Sequence, residues 1–178
     1  MRGSEGAREQ GGFVDCAEKM SALCEAAAAG DDAKVASLLG SGADAKAVDG
    51  EGRTPVMLAS KHGHIAALRT LLGSAAGKAT VDVADKDGGT AVMTAAIHNE
   101  LACLDELIAA GAKVDLEDSD KWTALQFAVC AGHAQAAAKL VEAGAHPAHK
   151  NKDGDTAHSL ADKHGYTEAL RALGVHSF

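Results

Sequence analysis

The sequence predicts an all-α repeat solenoid, and three observations carry that expectation. Threonines recur at Thr54, Thr90, Thr123 and Thr156, at spacings of 36, 33 and 33 residues, and a period near 33 marks a stacked array rather than a single rolled-up core. The long interval has a local cause: Leu72 to Val81 spans nine residues where Ile108 to Val114 spans six, an insertion of three. Composition agrees. Of the 178 residues 47% are hydrophobic but only 3% aromatic, which is apolar surface enough for a folded unit but too few large side chains to fill one deep core. Thin layers suit that material better.

Taken in order, residues 1–16 read as a flexible tail, because MRGSEGAREQGG is polar and glycine-rich with no apolar run of a secretory signal. An organelle transit peptide would look the same. Residues 17–178 form the repeat domain, with copies at about 17–49, 50–85, 86–118, 119–151 and 152–178. The first copy is found by register: Ser21 precedes Leu39 by eighteen residues, as Thr54, Thr90 and Thr123 precede Leu72, Ile108 and Val141. Each copy reads as a turn, a helix opened by Thr or Ser, a glycine or its substitute, a second helix ending in a Leu-Leu-like pair, and a Gly-Ala.

Local chemistry justifies these assignments. Threonine is a good N-cap, and Pro55 behind Thr54 sits at the first helical position, where its missing N–H costs nothing. Ala59, Ala95, Ala96 and Ala128 let the first helices of neighbouring copies approach closely. Leu68, Leu71, Leu72, Leu104, Leu107, Ile108, Leu140 and Val141 supply apolar surface between layers. Gly42, Gly111 and Gly144 follow the second helices, where a left-handed residue is wanted. Val35, Leu38 and Leu39 in the first copy and Tyr166, Leu170 and Leu173 in the last read as caps.

These copies resemble the ankyrin family, whose repeat carries a T-P-L-H-x-A motif. The segment from Asp49 to Ala59, with Gly63-His64 and Leu71-Leu72 behind it, matches at most positions, and Asp85 to Thr90 and Asn151 to Thr156 repeat its turn. The resemblance covers about residues 17 to 178. It implies a β-turn and two antiparallel helices per repeat, stacked with a concave groove. The motif histidine is replaced by Cys24, Met57, Met93, Gln126 and Ser159, so the hydrogen bond it lends to the helix start is expected to be missing. Lys121 stands where the fourth turn expects glycine, and Asn99-Glu100 replaces Gly-His in the third copy.

The resemblance further implies that turn tips and exposed ends of the first helices bind a partner protein. Carried over residue by residue, the candidate partner-binding residues are Arg53, His62, Lys86, Asp87, Ile97, His98, Asp120, Trp122, Cys130, Lys152, Asp155 and His164. Trp122 leads them, as the only tryptophan and as a residue type enriched in binding hot spots. Its ring either projects toward the groove, with Ile97 and Cys130 completing a small apolar patch, or folds down over the turn as packing. The acid-rich stretch from Asp115 to Asp120 favours a partner with a basic or mixed-charge surface, unless it is a solvated tip. His62, His98 and His164 recur at equivalent places and could make affinity pH-dependent, although histidine is also common at such helix ends.

Other chemistries find little support. The net charge of −8, with scattered lysines and arginines, disfavours nucleic acid. Four cysteines without a C-x-x-C pair read as reduced intracellular thiols, and no apolar run approaches a membrane span. His146, His149, His158 and His164 match no standard zinc spacing, and neither G-x-x-x-x-G-K-S/T, G-x-S-x-G nor H-E-x-x-H occurs. A Cys130 nucleophile served by His133 is disfavoured by the turn glycine between them. The expectation is therefore a monomeric, cofactor-free, non-catalytic interaction module, cytoplasmic or nuclear: an adaptor, a scaffold or a regulatory inhibitor. The alternative is a constitutive subunit of a larger assembly.

Overall fold

The computed structural model describes residues 8–172 and 174. Eleven helices follow one another among them: α1 (Arg8–Ala29), α2 (Asp32–Gly40), α3 (Pro55–Lys61), α4 (Ile65–Gly73), α5 (Ala75–Lys78), α6 (Ala91–Ile97), α7 (Leu101–Ala109), α8 (Ala124–Cys130), α9 (Ala134–Glu142), α10 (Ala157–His164) and α11 (Thr167–Ala172). The first helix opens at Arg8, inside the segment that the sequence sets apart as a tail. Residues 1–7 and the cap residue Leu173 lie outside the described residues.

Helices pair within each copy, α1 with α2, α3 with α4, α6 with α7, α8 with α9 and α10 with α11. The pairs stack in two rows. The inner row runs α1, α3, α6, α8, α10 and the outer row α2, α4, α7, α9, α11, each helix packed on its neighbours in its own row. This is the layered all-α solenoid that the periodicity predicts.

The stacking follows from which residues are apolar. Ala59, Ala95, Ala96 and Ala128 are fully enclosed on the inner row, and Leu68, Leu71, Leu104, Leu107 and Leu140 are fully enclosed on the outer row. Removing such a leucine from water stabilises the stack by roughly 2 kcal/mol, and the stacked neighbouring layers complete its cover. Ile108 and Val141, expected in the same set, are only half-buried.

The three-residue insertion has a definite form. It becomes α5, a single turn packed on α4. Ser74 Oγ accepts from Gly77 N at 2.9 Å to open it. Gly77 is required there, since a Cβ at that position would stand 2.0 Å from the carbonyl oxygen of Leu71.

Candidate partner-binding face

Four turns project beside the inner row, at residues 49–53, 85–89, 118–122 and 151–155, and all are built alike. In each, the leading carboxylate or amide oxygen accepts two backbone N–H groups. Asp49 Oδ1 takes Glu51 N and Arg53 N, both at 2.9 Å, and Asp118 Oδ1 takes Asp120 N at 2.9 Å and Trp122 N at 2.7 Å. Asp85 and Asn151 do the same. Such Asx turns need one left-handed residue, which is Gly88 at φ +85° in the third copy and Lys121 at φ +60° in the fourth. Lysine therefore takes the glycine conformation rather than altering the turn.

These fingers are tied to one another. Lys86 N donates to Glu51 O at 3.2 Å, Ser119 N to Asp87 O at 2.9 Å and Lys152 N to Asp120 O at 3.0 Å. One backbone hydrogen bond per layer thus runs along the rim and holds the tips in line. Side chains reinforce it at two steps, Lys86 Nζ donating to Gly50 O at 2.7 Å and Lys152 Nζ pairing with the Asp120 carboxylate at 3.0 Å.

The inner helices start from these fingers through threonine caps. Thr54, Thr90, Thr123 and Thr156 each accept from the backbone N–H three residues on. The expectation that the motif histidine's bond would be missing is corrected here. Thr123 N donates to Gln126 Oε1 at 3.1 Å and Thr156 N to Ser159 Oγ at 2.9 Å, while Thr54 N meets the Met57 thioether sulfur at 3.4 Å. Gln126 does more, since its Nε2 donates to His149 O at 3.1 Å and Asp155 O at 2.8 Å, tying α8 to the next finger.

The family of ankyrin repeats, described as three copies, matches the chain at residues 23–118 and again at 99–176. The chain belongs to the ankyrin repeat family. Among curated proteins no sequence matches it closely enough to count as a relative. Ankyrin repeats are in general protein-interaction modules and typically non-catalytic.

The ankyrin array distributes the candidate residues unevenly. On the fingers, Arg53 is half-buried and held by Asp49 at 2.7 Å and Glu51 at 2.9 Å. Burial pushes the Asp49 carboxyl up, but the Arg53 side chain and the turn N–H groups outweigh it and hold it below the ordinary range. Lys86, Asp87, Asp120 and Lys152 are exposed members of the rim. Asp155 is held low by Lys163, whose Nζ lies 2.6 Å from Oδ1. Along the ends of the inner helices, Ile97 is 38% exposed. His62, His98 and His164 are exposed, and Cys130 is half-buried. Burial, then the neighbouring Lys61, lowers the His62 pKa.

Trp122 stacks on Phe127, with ring centroids 5.1 Å apart and planes 30° from parallel. Both rings are largely buried against the core, with a part of each left in solvent. The ring is therefore held by packing and keeps an open face. Phe127 escaped the sequence reading, although it lies one helical turn beyond Thr123 and so on the face nearest the finger. A cleft of about 580 Å³ opens at the other end of the face, lined by Met20, Cys24, Ala28, Val48, Arg53 and Leu58.

The remaining charges are mostly engaged. In the acid-rich stretch Asp115 pairs with His146, Glu117 lies 3.7 Å from His149, and Asp118 serves its own turn. His149 Nε2 also bonds Lys121 O at 2.9 Å, while His133 and His64 reach back to carbonyls of the preceding layer, Ile97 O at 3.0 Å and Ala28 O at 3.1 Å. Among the described residues no three metal-ligating groups converge, and no helix is long and apolar enough to cross a membrane.

Proposed function

We propose that this ankyrin array is an adaptor, scaffold or regulatory inhibitor that holds a partner protein against the row of finger tips and inner-helix ends, with Trp122 on Phe127 as its anchor. The observation that supports it most is the rim itself. Backbone hydrogen bonds from finger to finger fix Lys86, Asp87, Asp120 and Lys152 in line, so a partner meets a preorganised surface and ordering it costs little. An aromatic pair partly open to solvent suits an anchor, since large rigid rings bury much area at small entropic cost. Lys86, Asp87, Asp120 and Lys152, two of each sign, suit a partner of mixed charge. The permanent-subunit reading asks for a broad apolar interface, whereas the exposed large hydrophobic residues among those described are Val48, Val83 and Ile97.

Trp122→Ala tests the anchor. In affinity capture from native lysate, followed by titration against the protein retained, the variant should bind at least roughly tenfold more weakly with its helical circular dichroism unchanged. Undiminished affinity would remove Trp122 from the interface. A chain that elutes as a monodisperse monomer fits a reversible binder, and one that aggregates without partners fits the permanent subunit.

A further inference from the structure

Among the three cysteines whose side chains the structure describes, two are buried, Cys103 within the stack and Cys24 beneath the cleft that it helps to line. Cys24 is 4% and Cys103 1% exposed, and burial, followed by nearby carboxylates, pushes each thiol up to about 11. At neutral pH such thiols stay protonated and react slowly. Cys130 differs in position and company. It ends α8 on the candidate binding face, half exposed, and its Sγ lies 3.8 Å from Nε2 of His164, the last residue of α10 in the next layer. His164 stacks flat on Tyr166, centroids 5.5 Å apart and planes within 14°, which restrains the imidazole. Lys163, beside it, is occupied by Asp155. The pair is thus a nucleophile and a base on adjacent layers, and two such groups fall short of the three or four ligands that zinc takes.

We propose that Cys130 and His164 form a thiol-exchange site on this face, at which Cys130 is modified by low-molecular-weight disulfides. His164 Nε2 accepts the Sγ proton, giving a thiolate beside an imidazolium. The thiolate attacks one sulfur of the disulfide; a new S–S bond forms as the old one breaks, and the departing thiolate takes the proton from His164. Cys130 ends as a mixed disulfide, and the other half of the reagent ends as a free thiol. The disulfide is itself the oxidant. Exchange does not depend on the partner-binding reading, because it proceeds without a partner.

Dithiodipyridine, a small neutral disulfide whose released thione is coloured, provides the test on the full chain carrying Cys16→Ser. One thiol per chain should react rapidly in the folded protein, with the two buried thiols following far more slowly until denaturant exposes them. Cys130→Ser should abolish the rapid phase, and His164→Gln should slow it roughly tenfold. Free imidazole added to the solution should restore part of the rapid phase in His164→Gln, which a merely structural role for His164 would not allow. His164 is exposed, so its replacement gives up the stack on Tyr166 but no buried contact, and His164→Asn repeats the measurement with a shorter side chain. A rapid phase that survives Cys130→Ser, or an unchanged rate in the His164 variants, overturns the proposal.

Discussion

Two layers of the array differ at one buried position. Met93 in the third layer and Gln126 in the fourth occupy the same place in the inner helix, 2% and 1% exposed. Both helices are capped by threonine. Met93 fills its place with apolar bulk and returns no bond, whereas Gln126 completes the cap and crosses to two carbonyls of the next finger. The finger that follows Gln126 is therefore fastened to the stack by a side chain. The finger that follows Met93, which carries Trp122, receives no bond from Met93 and is fastened instead by the rim hydrogen bonds of Ser119 and Lys152, by His149 on Lys121 O and by the stack of Trp122 on Phe127. Like backbone geometry thus conceals different means of attachment, and the finger that carries the candidate anchor is held without help from the inner helix before it.

Substitution can break that contrast or sharpen it. The largest effect is expected from Gln126→Met, which leaves Thr123 N, His149 O and Asp155 O without the amide and should cost about 2 to 3 kcal/mol in urea denaturation. A loss below half of that would mean water replaces the amide. The reverse exchange, Met93→Gln, places an amide opposite Leu116 and Trp122, the residues in register with His149 and Asp155, and should gain about 1 kcal/mol. A loss instead would show that the Trp122 finger stands too far off for the bonds to form. Lys121→Gly relieves a left-handed lysine at φ +60° and should also raise stability by about 1 kcal/mol.

The smallest effect concerns charge. Asp49→Asn copies the Asn151 turn and keeps both backbone bonds while giving up the Arg53 pair, so it should cost less than about 1 kcal/mol at neutral pH, the pair being partly in solvent. Because the Asp49 pKa is depressed in the folded chain, the stability it contributes is present above the ordinary carboxylate range and is lost as pH falls through the depressed value. Parent and variant should converge in acid, and a gap that persists there would point to packing rather than charge.

How much of this was legible depended on the range of each interaction. Caps and turns are local, so Thr54-Pro55 and the Asp-x-x-Gly turns announced themselves, and the insertion after Leu72 was visible as a lengthened spacing. The Ser159 bond to its own cap was equally local and could have been read from the side-chain chemistry of the third helical position. Gln126 was not legible in the same way, because its amide reaches carbonyls 23 and 29 residues away. The candidate site divides similarly. Register located the rim residues, but the histidine that the sequence sets beside Cys130 is His133, three residues on and disfavoured by the glycine between them, whereas its neighbour is His164 in the following layer. Stacked copies bring together residues about one period apart, and sequence neighbours are the wrong place to look.

The hydrogen bonds along the rim also give the molecule a direction. Lys86, Ser119 and Lys152 each donate to the finger before, and Glu51, Asp87 and Asp120 each accept from the finger after. By the same register Gly50 holds the next donor at one extremity, and Asp153 the next acceptor at the other. An additional copy grafted before the first finger must present a carbonyl, and one grafted after the last must present an N–H. Lengthening such a chain of fingers is therefore polar, like extending a strand of rope with a fixed lay: units of one orientation continue it, and inverted units find no match.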